Sequence, residues 1–402
     1  MHNTAFRFEY DPGIIRHGRG CVVALGDELA RQDCTRALVV CGQTVGSTPA
    51  VIDPIKEGLG DRLVGIFDET TPAKRLDTAI SGVERMRELD ADALVAVGGG
   101  SSLDVAKVMS VVSASGRDRD EIGTEFAETG TVTAPAAELP PLVAVPTTLA
   151  GADLSALAGI TASPESGLVD EQRSGGVSDP RLMPAALFYD PALVETTPRE
   201  ILTASAMNGF DKGVETLYAA NATPITDGTA VRGLNLLWDG LSTLTDEPDS
   251  WATEEILQGI ICVQYGISRP EGTTLSLIHA HGHGLKATVD IQQGVAHGIV
   301  APHALESLFE QVDGRRELLA RAFDIETGSL SQAEVGNAVI EEVRAVRDAL
   351  ELPTQLRSVE GLERSDLDTI AETTMEDSFL DNCPPEFEPT VEGLKGVLEA
   401  AW

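Results

Sequence analysis

The stretch Leu94–Lys107 reads LVAVGGGSSLDVAK: an apolar run closes in Gly98, Gly99 and Gly100, Ser101 and Ser102 follow, and helical spacing then takes over. That order is a strand, a phosphate-sized loop and a helix start. Glycine lets the backbone approach a ligand with no Cβ in between, and the unpaired N–H groups of a helix N-terminus attract an anion. The loop suits a diphosphate, although a tight strand-to-helix turn asks for glycine as well.

On either side of this loop, Ala37–Cys41 (ALVVC), Leu63–Phe67 (LVGIF) and Leu142–Val145 read as strands, and Pro49–Gly58 and Lys74–Leu89 as helices. Repeated βα units imply a mostly parallel sheet with helices on both faces and ligands at the carboxyl ends of its strands, where the Gly98 loop falls. Gly116–Pro141, polar and rich in Pro, Thr and Glu, reads as an irregular excursion, and Pro184–Pro191 (PAALFYDP) as a last apolar stretch ending in a turn. From about Glu195 the periodicity becomes helical: Arg199–Ala220, Asp227–Leu244, Trp251–Gly266, Leu275–Thr288, Ala301–Phe323 and Ala333–Leu350. An unstructured or loosely helical stretch is expected around Glu376–Pro389. The fold class is α/β over residues 1–194 and all-helical over 195–402.

With 402 residues and 42% hydrophobic content the chain can bury a core of two-domain size. No apolar run approaches the ~20 residues of a membrane span, and MHNTAFRFEYDPG lacks the apolar centre of a secretory signal, so a cytoplasmic protein is expected. The five cysteines (Cys21, Cys34, Cys41, Cys262, Cys383), without CxxC spacing, read as reduced packing residues. A net charge of −35 spread along the chain argues against nucleic acid or anionic membrane as a partner. It suits a halophilic cytoplasm, where salt screens the self-repulsion. Lysine is confined to Lys56, Lys74, Lys107, Lys212, Lys286 and Lys395.

Five of the seven histidines fall between His279 and His303, in HAHGHGLKATVDIQQGVAHGIVAPH. His279 and His283, four residues apart, share a helix face and can bind a metal or place a proton donor beside a ligand. His281 points off the other face and reads as structural; His297 and His303 are less telling singly. Thr147 and Thr148, at the end of a strand, offer hydroxyls to a ribose or phosphate, or serve as strand filler.

In chain order, LVAVGGGSSLDVAK, VPTTLAGADLSALAGIT, the YDP turn, SAMNGFDKGVETLYAANATPITD and the histidine-rich segment resemble the iron-containing (group III) alcohol dehydrogenase superfamily over nearly the whole chain. TTLAGAD and the Met-Asn pair of SAMNGF are most similar to its maleylacetate reductase branch. The resemblance implies a Rossmann-like dinucleotide-binding domain, an all-helical catalytic domain in the dehydroquinate synthase-like arrangement, an active site in the cleft between them, and a homodimer. It places the diphosphate at Gly99, Gly100 and Ser101, assigns Asp104 and Lys107 to the same motif, and brings Thr147 and Thr148 near the nucleotide. Read without it, Asp104 and Lys107 are equally helix-surface residues. Gly42 stands where NAD-preferring relatives commonly have an acid; with no carboxylate to repel a 2′-phosphate, NAD(P)H is expected with a lean to NADPH.

Metal-dependent members carry Asp-x-x-x-His on the first helix of the helical domain and two later histidines. Those positions here hold Asn208, Lys212, His279 and either Gln293 or, with a short insertion, His297. An amide binds Fe²⁺ or Zn²⁺ poorly, and an ammonium has no lone pair and repels the cation, so no metal is expected. Asp211 and Glu215 could in principle join His279 and His283 in a shifted site, though Asp211 lies off the expected face.

In place of the metal, Lys212 is the candidate electrophile, polarising the carbonyl or holding a substrate carboxylate, with Asn208 and His279 alongside and His283 as proton donor. The competing reading pairs Lys212 with Glu215 or Asp211 on a solvated helix face. The expected activity is NAD(P)H-dependent reduction of a small carbonyl, an anionic oxo-acid of the maleylacetate type, with Arg173 the nearest basic residue before the YDP turn. A metal-dependent alcohol or polyol dehydrogenase and a catalytically silent dinucleotide-binding protein are the alternatives.

Overall fold

The computed structural model describes residues 6, 8, 13–244, 252–267, 269 and 272–402. Most of the N-terminal MHNTAFRFEYDPG, and Trp251, where a helix start is predicted, lie outside them. The strands are β1 (Ile14–His17), β2 (Ala37–Gly42), β3 (Leu63–Thr70), β4 (Ala93–Gly98), β5 (Leu142–Pro146), β6 (Leu157–Ala162), β7 (Arg173–Ser178) and β8 (Ala186–Tyr189). Interleaved with them are α1 (Leu25–Arg31), α2 (Gln43–Ser47), α3 (Pro49–Leu59), α4 (Leu76–Glu88), α5 (Gly100–Ser115) and α6 (Arg119–Thr129). Beyond β8 the chain is helical: α7 (Pro191–Val194), α8 (Arg199–Tyr218), α9 (Pro224–Leu241), α10 (Thr253–Ile267), α11 (Leu277–Thr288) and α12 (Gln293–Gln311). It closes with α13 (Arg316–Ala322), α14 (Gln332–Ala349), α15 (Leu367–Met375) and α16 (Val391–Ala400).

Six strands form one parallel sheet in the order β1-β8-β5-β4-β2-β3. Successive strand residues point to opposite faces, so the sheet builds two cores. Val39, Val95, Val97, Val143 and Phe188 share one with Leu25, Leu29, Ile52 and Ile55 of α1 and α3. Leu38, Val40, Leu94 and Ala96 meet Ile80, Val83, Leu103 and Met109 of α4 and α5, in a core continuous with that of the helical half. From β2 the chain steps outward to β3, then returns to the other side of β2 for β4, β5 and β8. That reversal opens a crevice between the carboxyl ends of β2 and β4, where Gly42 and Gly98 lie.

The helical half is organised on α8, which is buried along most of its length. It lies so close to α12 that a Cβ on Gly294 would come within 1.7 Å of the Ala204 carbonyl oxygen. Among the described residues no helix is long and apolar enough to cross a membrane, and all five cysteines are free.

The structure departs from expectation in three places. Gly116–Pro141 contains α6, started by an Asp118–Glu121 capping box. β6 and β7 form an antiparallel hairpin that the glycine-rich RSGGVS did not announce. The helix predicted over Ala301–Phe323 is two helices: α12 begins at Gln293 and runs through Pro302, and Gly314 and Arg315, at φ +58° and +54°, separate it from α13. Glu376–Pro389, expected to be unstructured or loosely helical, has only Ser378–Asn382 in helical form, as a tight 3₁₀ segment.

Candidate functional site

Residues 98–101 bend from β4 into α5, and no side chain caps the start of that helix. Gly99 and Gly100 lie against the loop after β5, where an added Cβ would meet Thr148 Cγ2 at 3.2 Å and Ala152 Cβ at 3.1 Å. Thr147 donates its N–H to the Gly98 carbonyl (3.0 Å). The helix start, Ser101 and Thr148 thus border one open crevice, with Gly42 across it. Uncapped N–H groups beside small residues fit a diphosphate.

Asp104 and Lys107 are not surface residues. Lys107 is fully buried and donates to the carbonyls of Ser155 (2.6 Å), Leu157 (3.0 Å) and Ala152 (3.4 Å). It pins the hairpin to α5, and burial lowers its pKa to about 8. Asp104 pairs with Lys74 at 2.5 Å and accepts the Gly159 N–H.

The facing wall comes from α8, α11 and α12. Glu215 of α8 lies beneath the start of α11, and its Oε1 accepts the N–H groups of Ile278 (2.7 Å) and His279 (3.1 Å). Its Oε2 meets His279 Nδ1 at 2.5 Å, and His279 Nε2 lies 3.1 Å from Asn208 Oδ1. Burial raises Glu215 to about 7 and holds His279 well below its ordinary value. His279 is thus hydrogen-bonded at both ring nitrogens, to Glu215 and to Asn208. Among the described residues the Asn208 amide N–H groups keep no partner.

His283, one turn along α11, is half exposed, with Nδ1 held by Asp377 at 2.7 Å and the Phe379 ring 5.1 Å away. Its free nitrogen is Nε2.

Lys212 is buried, and no carboxylate among the described residues lies within ion-pair distance of it. This excludes the solvated-face pairing with Glu215 or Asp211. Its Nζ donates to the Gly151 carbonyl at 3.0 Å. Oriented by its hydrogen bonds, the Gln264 amide donates to the same carbonyl (2.7 Å) and accepts from Lys212 (3.3 Å). Gly151 is at φ +64°, and a Cβ there would come within 2.3 Å of Gln264, so only glycine fits this turn. Burial lowers Lys212 to about 8, and buried Asp153, itself bonded by the Tyr189 hydroxyl, is its strongest counterweight.

Several candidates are placed elsewhere. Asp211 does not reach His279: its carboxyl, pushed well above the ordinary carboxylate range by burial, faces His297 Nδ1 at 3.4 Å, and both residues are fully buried. Gln293 Nε2 lies 2.9 Å from His297 Nε2, so the two candidates for the last ligand position are neighbours, with His297 behind Gln293. His281 is buried against the Leu277 and Leu394 carbonyls, as a packing histidine. His303 pairs with Glu306 on its own helix. Arg173 reaches the Glu128 carbonyl at the end of α6 and is not brought to Lys212. Gly151, Asp153, Gln264, Asp377 and Phe379 were missed; of these only Gly151 and Asp153 lay in a quoted motif, TTLAGAD.

The donor set can be tested against a divalent ion. The inward-facing atoms are an amide, an ammonium, a neutral imidazole already bonded at both nitrogens, and a second amide. Among the described residues no group of three His, Cys, Asp or Glu converges as ligands. This set does not fit Fe²⁺ or Zn²⁺.

Residues 12–191 match the family model described as iron-containing alcohol dehydrogenase, and residues 202–402 match that of the family's C-terminal domain. Maleylacetate reductase 1 of Cupriavidus pinatubonensis is 29% identical over 388 residues, covering 91% of this chain and 96% of the relative. A maleylacetate reductase of Sphingobium indicum is 31% identical over 322 residues, 79% of each chain. The crystal structure of a 1,3-propanediol oxidoreductase superposes with a TM-score of 0.87 at 20% identity, over 99% of this chain and 100% of that one.

Proposed function

The chain belongs to the iron-containing alcohol dehydrogenase family, and on that premise we propose that it is an NAD(P)H-dependent reductase of a small anionic oxo-acid of the maleylacetate type, working without a catalytic metal ion. It is an oxidoreductase acting on CH–OH or C=O groups. The observation that carries the finer reading is the buried Lys212 ammonium, standing where the superfamily's metal-dependent members place a ligand. Residues 1–194 hold the dinucleotide, and residues 195–402 supply the chemistry.

When bound, the nicotinamide would supply a hydride to the carbonyl carbon or, in an enone such as maleylacetate, to the alkene carbon conjugated with it. Charge then grows on the carbonyl oxygen, and a preorganised cation removed from bulk water stabilises it far better than one in solution. Lys212 is held for this by Gly151 and Gln264, and Asn208 adds a neutral N–H donor. His283 delivers the proton to the nascent alkoxide or enolate from Nε2, while Asp377 fixes its ring through Nδ1. Its exposure lets it reload from solvent. His279, bonded on both sides, positions Asn208. Gly42 at the end of β2 puts no carboxylate against a 2′-phosphate, which favours NADPH.

The test is a turnover panel with NADPH and NADH against maleylacetate, neutral aldehydes and alcohols. Maleylacetate reduction with no added metal is the expected result. Alcohol oxidation that requires a divalent ion, or cofactor binding with no turnover across the panel, refutes the proposal.

A further inference from the structure

Asp211 and His297, both fully buried, stand behind the reaction centre rather than in it. They repeat an arrangement found at the centre itself. Glu215, His279 and Asn208 form one carboxyl–imidazole–amide string, with contacts of 2.5 and 3.1 Å. Asp211, His297 and Gln293 form a second: Asp211 Oδ2 lies 3.4 Å from His297 Nδ1, and Gln293 Nε2 lies 2.9 Å from His297 Nε2. The two carboxyls are one turn apart on α8, and the two imidazole rings meet edge to face with centroids 4.2 Å apart. Close helix packing fixes the second string. A Cβ on Gly282 of α11 would come within 2.5 Å of both Gln293 Nε2 and His297 Nε2. One on Gly294 would come within 3.1 Å of the Asn208 backbone nitrogen, so Gln293 is set beside Asn208.

The strings end in opposite polarity. His279 holds Asn208 by its carbonyl oxygen and leaves the amide N–H groups outward, whereas His297 holds Gln293 by its amide nitrogen. An amide nitrogen only donates, so His297 Nε2 is the acceptor and the proton of the neutral ring sits on Nδ1, toward Asp211. Burial, which takes His297 down to about 3, keeps that ring neutral. Gln293 is only partly buried, and its Oε1, turned away from His297, has no partner among the described residues. The cleft wall therefore offers donors from Lys212 and Asn208 and one acceptor, from Gln293.

We propose that Gln293 Oε1 accepts the O–H of the substrate's hydroxyl form, with His297 and Asp211 as the positioning residues that aim it. The proposal rests on reading the cleft as a carbonyl-reducing site. A carbonyl oxygen only accepts hydrogen bonds, and Lys212 and Asn208 meet that need. Once hydride has entered the carbon skeleton, the C=O electron pair moves onto oxygen and the His283 proton joins it, giving the O–H of an alcohol or enol. That hydrogen needs an acceptor, which neither an ammonium nor an amide N–H can be. Gln293 supplies it, beside the donors that held the same oxygen before the reaction.

The experiment uses the full-length protein and titration calorimetry on two complexes that cannot react, 3-hydroxyadipate with NADPH bound and 3-oxoadipate with NADP⁺ bound. Gln293→Met should weaken the hydroxy acid about 5- to 10-fold and change the oxo acid by less than about twofold. His297→Leu should reproduce this split, and combining it with Gln293→Met should cost little more. In ¹⁵N-histidine-labelled parent protein, NMR should show the His297 proton on Nδ1, a readout that needs no substrate. Equal weakening of both acids, an unchanged hydroxy acid, or a proton on His297 Nε2 overturns the proposal. If neither acid binds the parent, the oxo-acid reading falls, and the same split is then required of the alcohol and aldehyde that the protein interconverts in the turnover panel. Cofactor binding with no ligand of either kind overturns both.

Discussion

Replacing Lys212 by methionine should abolish most of the activity and leave the fold as stable as before, or more so. Burial holds the Lys212 ammonium at about 8 against an ordinary 10.5, so the unfolded chain binds its proton more tightly than the folded one. The folded pKa is depressed. The group therefore costs stability below pH 8, and that cost is relieved as pH rises from about 8 to 10.5. At neutral pH the gap between the two values amounts to about 3 kcal/mol. Methionine fills a similar volume without charge. The Gly151 carbonyl keeps the Gln264 amide as donor, so the lost hydrogen bond costs only about 1 kcal/mol. The net change in stability is zero or favourable. In the reaction, loss of a preorganised donor to the carbonyl oxygen should lower kcat/KM by about 10²- to 10³-fold. The assays are initial rates of NADPH consumption with maleylacetate, and thermal unfolding followed by circular dichroism. A kcat/KM within a factor of two of the parent, or an activity loss matched by unfolding, refutes the reasoning.

Four further outcomes follow from the same geometry. Because Lys212 must be protonated, kcat/KM for reduction should fall as pH rises through about 8; Asp153→Asn removes its main counterweight and should move that limb to lower pH, read from the pH–rate profile. Gly42→Asp places a carboxylate at the end of β2, and the ratio of kcat/KM for NADPH over NADH should drop about tenfold in steady-state assays. Gly294→Ala drives a Cβ into the Ala204 carbonyl and should destabilise by about 3 kcal/mol or more, seen as a lowered denaturant midpoint. With a net charge of −35, Tm should rise between roughly 0.1 M and several molar KCl as screening shortens from ~10 Å to ~3 Å or less.

The parallel sheet was legible because strands buried on both faces read as unbroken apolar runs, and the Gly98 loop because its glycines are required by its geometry. Helices α8, α9, α11 and α14 announced themselves by spacing. The hairpin of β6 and β7 did not, since Arg173–Ser178 carries two glycines and no alternating apolar face; it is held by Lys107, a residue read as surface or motif. The start of α12 was hidden because Pro302 suggests a helix near its beginning, whereas packing against α8 carries the helix through it. At the site, Lys212, Asn208, His279 and His283 stood out by type and position in one helix or the next. Their partners did not. Gly151 and Gln264 reach Lys212 from 61 and 52 residues away, and Asp377 lies in a stretch read as loose. Arg173 was misassigned because proximity in sequence to the YDP turn says nothing about where the hairpin turns its side chains.

The most direct test of the ammonium as electrophile is turnover by protein freed of divalent ions. The enzyme is dialysed against chelator, its metal content is measured by mass spectrometry, and kcat/KM with NADPH and maleylacetate is compared before and after. Full activity at far less than one metal ion per chain is the predicted result. Activity that disappears with the metal and returns on adding Fe²⁺ or Zn²⁺ would contradict it.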